Sequence, residues 1–123
     1  MIKGIGIDLI EVNRVERSLG NQRFLDKVFT LEEQKMLAAR KMNPQTAAGS
    51  FAAKEAVAKA LGTGFGYVGW TEIEILRQET GRPYVVLYGS ALKVYQTLGC
   101  NHIWISITHT KEYAAAKVIL EGE

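Results

Sequence analysis

The sequence predicts one α+β domain over residues 1–123, in which helices pack on a mostly antiparallel sheet. Apolar residues alternate with other residues near both ends of the chain, as half-buried strands require, and short turns separate the later strands. Between these segments, an alanine-rich stretch over 44–61 has helical spacing. A chain of 123 residues buries roughly two-thirds of its unfolded surface, which supports one core and no second domain.

The first half of the chain is predicted to form one strand and three helices. The strand carries Ile5, Ile7 and Leu9 on one face and Gly4, Gly6 and Asp8 on the other. A short helix follows over 13–19 and is closed by Gly20. A capping box at Thr30 begins a helix over about 31–40. The pair Asn43-Pro44 begins the alanine-rich helix, which Gly62 ends.

The second half is predicted to form two hairpins around one helix. The first hairpin joins strands over 71–77 and 84–87 through a turn at 80–83. A helix over 90–98 ends at Gly99. Ile103, Ile105 and Ile107 then mark a strand, which a turn over 108–112 connects to a closing strand over 113–120.

Composition excludes several classes of protein. The chain has 15 Lys and Arg against 13 Asp and Glu, and a net charge of +2 is too weak to indicate nucleic-acid binding. Cys100 is the only cysteine, which excludes an internal disulfide framework and fits a reducing compartment. Asp8 interrupts the N-terminal apolar run, and no stretch resembles a membrane span. We therefore expect a cytoplasmic protein without a membrane or nucleic-acid partner.

Asp8 and Glu55 are candidate metal ligands. Helical spacing places Glu55 inside the apolar stripe of the alanine-rich helix. Gly4 and Gly6 leave room on the Asp8 face of the first strand, where a helix faced with alanine can approach closely. Two ionised carboxylates in one site repel each other unless a cation joins them, and Mg²⁺ is typically held by one or two carboxylates plus phosphates and waters. The alternatives are an ordinary Glu55–Lys59 pair and a capping or turn role for Asp8.

Two lysines lie on either side of Glu55 along the helix. Lys54 and Lys59 beside a magnesium-type carboxylate are the side chains that a phosphate ligand needs. The alternative is a solvated helix face.

The segment 64–69 (Gly-Phe-Gly-Tyr-Val-Gly) matches the dinucleotide-binding fingerprint by its letters. That fingerprint must follow a strand and begin a helix, whereas this segment follows a helix and begins a strand. We therefore predict a flexible loop that lines a ligand channel.

Five segments of the chain form a recognisable set: 6–8 (Gly-Ile-Asp), 51–56 (Phe-Ala-Ala-Lys-Glu-Ala), 59–64 (Lys-Ala-Leu-Gly-Thr-Gly), 81–83 (Gly-Arg-Pro) and 105–109 (Ile-Ser-Ile-Thr-His). Together they resemble one enzyme family, the short, bacterial-type branch of the phosphopantetheinyl transferases known as holo-[acyl-carrier-protein] synthases. The resemblance spans nearly the whole chain in the order and spacing of the family.

The resemblance implies transfer of 4′-phosphopantetheine from coenzyme A to a serine of apo acyl carrier protein, with release of adenosine 3′,5′-bisphosphate. It implies that Asp8, Glu55 and Lys59 are catalytic and that Asp8 and Glu55 hold Mg²⁺ against the pyrophosphate. Either Glu55 or a metal-bound water could be the general base. Arg82 and Pro83 would lie near the adenine. The residues implied to bind coenzyme A are Lys54, Lys59, Gly62, Gly81, Arg82, Pro83, His109 and Thr110, the last two near the 3′-phosphoadenosine end.

The resemblance also implies protein partners. Members of the family are homotrimers with active sites between subunits, so a homotrimer is expected. The basic residues Arg14, Arg17 and Arg23 beside Phe24 would suit the acidic surface of an acyl carrier protein, in a salt-sensitive contact. The alternative is a solvated amphipathic segment.

One departure concerns Ser50, where some relatives carry a basic residue. Either Arg40 or Lys41 takes over that phosphate contact, or the 3′-phosphate is held less tightly. The alternative function is a non-catalytic module that binds coenzyme A or a nucleotide, with a purely structural Asp8–Glu55 site.

Overall fold

The computed structural model describes all residues, 1–123, and confirms the α+β class. A three-stranded sheet has the order β1-β5-β4, and β2 and β3 form a separate two-stranded sheet, so the fold has two antiparallel sheets where one was predicted. The elements are β1 (Ile2–Glu11), α1 (Val12–Glu16), α2 (Gln22–Val28), α3 (Leu31–Ala39), α4 (Pro44–Leu61), α5 (Gly64–Tyr67), a 3₁₀ turn (Trp70–Glu72), β2 (Ile73–Arg77), β3 (Pro83–Leu87), α6 (Gly89–Thr97), β4 (Cys100–His109) and β5 (Tyr113–Gly122).

The long helix α4 begins and ends where the sequence predicts. The Asn43 side chain caps it by accepting a hydrogen bond from the Thr46 amide at 3.0 Å, and Pro44 occupies its first turn. Gly62 ends it in the left-handed conformation, with φ of 81°. Strong signals at both ends therefore fix the length and register of the helix that carries the candidate site.

The helix α4 packs against β1 backbone to backbone, as the glycine pattern predicts. A Cβ atom built at Gly6 would collide with the carbonyl oxygen of Ala56, and one built at Gly4 would collide with that of Ala60. No side chain larger than hydrogen fits at either position without moving α4. Asp8 follows on the same face of β1, next to this contact.

The prediction that Glu55 lies in the buried stripe of α4 is wrong. The alanines are small enough for the helix to be enclosed on several sides, and residues from Ala47 to Leu61 are almost all buried. Phe51, Glu55 and Lys59 form the strip that stays partly open to solvent. Glu55 therefore lies at the edge of the core, where a ligand can reach it.

Local differences from the prediction occur where the sequence signals are short. The helix α1 is shorter than the predicted 13–19, and α2, capped by Asn21, was not predicted. Part of the predicted loop over 64–69 is the one-turn helix α5, and a 3₁₀ turn replaces the start of the strand predicted from 71. The strand β4 also runs on through His109, so the last turn covers only 110–112.

The outer face of the larger sheet is apolar and uncovered. Ile5, Ile7 and Leu9 of β1 are 60%, 65% and 66% exposed, and Trp104 of β4 is 47% exposed. None of the helices combines the length and hydrophobicity that a bilayer-spanning segment requires.

Candidate active site

The candidate site is built on β1 and α4. Asp8 lies on the face of β1 that contacts α4, opposite Ala116 of β5, and Glu55 and Lys59 lie one turn apart on the open strip of α4. The Lys59 Nζ donates hydrogen bonds to Asp8 Oδ1 at 3.0 Å and to the Ile7 carbonyl at 3.1 Å. The Asp8 side chain is 16% exposed and that of Lys59 is 52% exposed. One cation and two carboxylates therefore share a shallow, accessible site.

The charges in this cluster shift the protonation of Glu55. Partial burial raises the pKa of Glu55 above its ordinary value, and the negative charge of Asp8 raises it further, while Lys59 lowers it. The two carboxylates are therefore close enough to repel each other, and a bound cation would relieve that repulsion.

The donor set fits a hard divalent cation. Asp8 and Glu55 supply carboxylate oxygens, which Mg²⁺ prefers. No group of three or more His, Cys, Asp or Glu side chains is arranged to hold a metal by itself. Two carboxylates suit a cation that takes its remaining oxygens from substrate phosphates and water, and not a closed structural site.

The prediction that Lys54 contacts phosphate is wrong. Its side chain is fully buried, and its Nζ lies 2.7 Å from Glu33 Oε1. The same ammonium donates to the carbonyl of Trp70 at 3.0 Å and to that of Ile73. Because all of its donors face inward, Lys54 joins α3, α4 and the start of β2 and has no free donor for a ligand.

A row of aromatic rings borders the open strip of α4. The rings of Phe51 and Trp70 lie 4.9 Å apart, and Phe65 of α5 stacks on Trp70 at 3.7 Å. Phe24 of α2 lies 6.3 Å from Phe51 and places the candidate partner-binding helix next to the row. The segment 64–69 thus packs one of its aromatic residues beside the site. This row could not be predicted from sequence periodicity, because its members come from four separate segments.

The other predicted ligand contacts lie at the ends of β3 and β4. Gly81 makes the hairpin turn with φ of 91°, Arg82 is exposed and Pro83 is half-buried. His109 and Thr110 are exposed at the end of β4, where the Thr110 hydroxyl accepts a hydrogen bond from the Tyr113 amide at 3.1 Å. Neither segment makes a hydrogen bond to Asp8 or Glu55 within the chain, so the roles assigned to these residues stay predictions.

A groove of about 460 Å³ lies between the β3 hairpin and the outer face of β4. Neither Asp8 nor Glu55 lines it. Its polar lining includes Arg82, His102, Ser106 and Lys117.

The sequence reasoning missed two charged residues near the site. Glu33 is the acid of the capping box at Thr30, and its carboxylate also serves as the partner of Lys54. Arg77 continues the alternation of Ile73 and Ile75 along β2, so its position in the strand could have indicated a half-buried arginine.

The fold and the site define a class of transferase. The chain belongs to the 4′-phosphopantetheinyl transferase superfamily, whose family model matches residues 4–118.

Within that superfamily, the chain is similar to enzymes named holo-[acyl-carrier-protein] synthase. It is 48% identical to the one from Alkaliphilus metalliredigens over 120 residues, which cover 97% of this chain and 98% of the relative. It is 43% identical to the one from Clostridium acetobutylicum over 122 residues, which cover 98% of each.

Two solved structures of such enzymes have the same fold. The synthase of Bacillus anthracis in complex with CoA (3′,5′-ADP) has a TM-score of 0.80 and 36% identity, with 100% of this chain and 99% of that chain covered. The synthase of Helicobacter pylori in complex with coenzyme A has a TM-score of 0.83 and 27% identity, with 95% and 99% covered.

Proposed function

We propose that the chain transfers 4′-phosphopantetheine from coenzyme A to a serine of apo acyl carrier protein and releases adenosine 3′,5′-bisphosphate. The observation that carries this proposal is the meeting of Asp8, Glu55 and Lys59 at an accessible edge of the core, in a chain 48% identical to a holo-[acyl-carrier-protein] synthase over nearly its full length. Transfer of a phosphorylated group needs a cation and charge-compensating side chains beside the phosphates. Asp8 and Glu55 would hold the cation, and Lys59 supplies a compensating charge.

The reaction exchanges one phosphorus–oxygen bond for another. The serine Oγ attacks the phosphorus that bears the pantetheine, the bond from that phosphorus to the bridging oxygen breaks, and adenosine 3′,5′-bisphosphate leaves with the electron pair. Either Glu55 or a water held in the site would take the serine proton. Lys59 offsets charge on the leaving phosphate from its position 3.0 Å from Asp8.

We assign Asp8 and Glu55 as the ligands of a bound Mg²⁺. When bound, that ion supplies Lewis-acid stabilisation of charge on the bridging oxygen. The Lys59 ammonium donates to Asp8 Oδ1 and keeps that carboxylate oriented. The free thiol of Cys100 and the use of coenzyme A both fit a reducing cytoplasm.

Intact-mass spectrometry tests the proposed reaction. A purified apo acyl carrier protein is incubated with the chain, coenzyme A and Mg²⁺, beside a parallel sample with chelator. We expect the carrier to gain the mass of one phosphopantetheine only in the sample without chelator. No gain, with coenzyme A binding retained in calorimetry, would instead support a non-catalytic binding module.

The carrier is proposed to dock on the basic surface formed by α1 and the start of α2. Arg14, Arg17 and Arg23 are exposed, and Phe24 is half-buried beside Phe51. This surface offers positive charge to an acidic carrier and lies next to the candidate site.

Charge reversal of Arg14 and Arg17 to Glu is expected to raise the KM for the carrier by about tenfold or more and to leave the KM for coenzyme A unchanged, because rim charges act on encounter. Steady-state kinetics measure both constants. Moderate salt should likewise raise the KM of the wild type for the carrier. The matched control is Lys93→Glu, an equally exposed cation on α6. An unchanged carrier KM would place the docking surface elsewhere.

A homotrimer is proposed to cover the outer face of the larger sheet. Contiguous exposed side chains such as Ile5, Ile7 and Leu9 are typical of a subunit interface. We expect sedimentation velocity to give three times the 13.6 kDa chain mass, and Ile7→Glu to lower it. Leu31→Glu, at an equally exposed position on α3, should leave the mass unchanged. A monomeric wild type would contradict the proposal.

A further inference from the structure

Arg77 ends strand β2 in an unusual setting. It pairs with Pro83 in the hairpin, and its Nη1 donates a long hydrogen bond of 3.4 Å to the Gly81 carbonyl. Its Nη2 lies 3.9 Å from the position that a Cβ atom at Gly49 would occupy, and Ile107 of β4 packs against the same glycine. The guanidinium therefore lies where the β2–β3 hairpin, α4 and β4 meet.

Arg77 lacks the partners that a half-buried guanidinium normally has. Its Nε is buried without a hydrogen-bond partner, and Arg77 takes part in none of the three ion pairs of the protein. Burial lowers the pKa of Arg77, and the positive charge of Arg40 lowers it further. Arg40 is exposed and also unpaired. A half-buried guanidinium without a carboxylate partner is a group that a bound anion would stabilise.

The neighbours of Arg77 in the fold are segments proposed to bind one end of coenzyme A. Pro83 and Arg82 follow the same hairpin turn, and Ile107 precedes His109 by two residues in β4. The family resemblance implies that those two segments lie near the adenine and the 3′-phosphoadenosine end of coenzyme A. Arg77 lies between them and approaches α4 at Gly49.

We propose that Arg77, together with Arg40, binds the 3′-phosphate of coenzyme A, a phosphomonoester, and that Arg77 supplies this cation from β2. This inference rests on the proposed function. Arg guanidinium forks bind phosphate through two parallel hydrogen bonds, and the only hydrogen bond that the Arg77 guanidinium makes within the chain is the long one from Nη1. Arg77 acts here as a specificity-determining residue, away from the bond that breaks.

A comparison of two donors tests the inference. Transfer to apo acyl carrier protein is measured with coenzyme A and with 3′-dephospho-coenzyme A, for the wild type, Arg77→Met, Arg77→Lys and Arg40→Met. Arg77→Met should raise the KM for coenzyme A by about tenfold or more and leave kcat and the KM for the dephosphorylated donor unchanged, since only the first donor carries the 3′-phosphate. Arg77→Lys should recover part of the loss. The control Lys93→Met should match the wild type with both donors.

Each result decides between the anion site and a purely structural arginine. If Arg77 only fixes the hairpin turn through Gly81, Arg77→Met raises the KM for both donors equally. That result would overturn the inference. If Arg77→Met does not fold, Arg40→Met gives the same comparison from an exposed position. Should the wild type transfer from neither donor, the proposed reaction fails. Calorimetry with adenosine 3′,5′-bisphosphate against 5′-AMP then tests the anion site alone, and equal affinities for the two nucleotides would overturn it.

Discussion

Glu55→Gln is expected to abolish transfer of phosphopantetheine, with a fall in kcat of about a hundredfold to a thousandfold or more. The amide keeps the shape of the side chain but removes the negative charge that binds a cation and accepts a proton. Intact-mass spectrometry of the carrier over time measures the rate. Glu32→Gln, at an exposed position on α3, makes the same chemical change outside the site and should retain full activity.

The same variant should be at least as stable as the wild type without metal. Because the pKa of Glu55 is raised in the folded state, its contribution to stability is present at low pH and is lost as the pH rises through that pKa. At neutral pH the ionised carboxylate beside Asp8 therefore destabilises the fold slightly, by less than about 1 kcal/mol because the group is partly solvated. Thermal unfolding in chelator measures this difference, and the Tm of Glu55→Gln should equal or exceed that of the wild type. If Glu55→Gln is inactive because it does not fold, Glu55→Asp tests the catalytic role of this carboxylate instead. A folded and active Glu55→Gln would refute the metal assignment.

Lys54→Met is expected to destabilise the fold by about 3–5 kcal/mol, the largest stability effect of a single substitution proposed for this chain. The change leaves the Glu33 carboxylate fully buried without its cation. That carboxylate also accepts hydrogen bonds from the amides of Thr30 at 2.8 Å and Ile75 at 2.7 Å, so it cannot turn outward without breaking them. Urea unfolding measures the change in the free energy of unfolding.

The double variant Lys54→Met with Glu33→Gln should recover at least half of that loss, because it removes both buried charges. The control Lys35→Met breaks an exposed ion pair with Glu32 at 3.4 Å and should change stability by less than about 0.5 kcal/mol. If Lys54→Met alone were as mild as Lys35→Met, the buried pair would not be ionised.

Lys54 and Glu55 show what the sequence can and cannot predict. The caps at Asn43 and Gly62 fix the helix that holds Lys54 and Glu55, and the glycines of β1 indicate the surface against which it packs. Helical spacing alone cannot say which sides of an alanine-rich helix other elements will cover. It therefore placed Glu55 in the buried stripe and Lys54 beside a phosphate, whereas the structure leaves Glu55 partly open to solvent and buries Lys54.

Other parts of the site were beyond prediction for a different reason. The helix α2 has seven residues and lacks a strong apolar period, so only its Asn21 cap distinguishes it from a loop. Arg77 and Arg40 come from different elements, and their proximity depends on how the β2–β3 hairpin docks on α4. Strand alternation predicts which way a side chain faces, and tertiary packing alone determines which charge it meets.

The contact between β1 and α4 also limits how this site can evolve. Main-chain atoms set the gap between the strand that carries Asp8 and the helix that carries Glu55, since Gly6 meets the Ala56 carbonyl directly. Drift in the volume of core side chains elsewhere cannot narrow that gap, because no residue is smaller than glycine. Any replacement at Gly6 opens it by the width of at least a methyl group. Mutation at Gly6 can thus only move the strand of Asp8 and the helix of Glu55 apart, and never bring them closer.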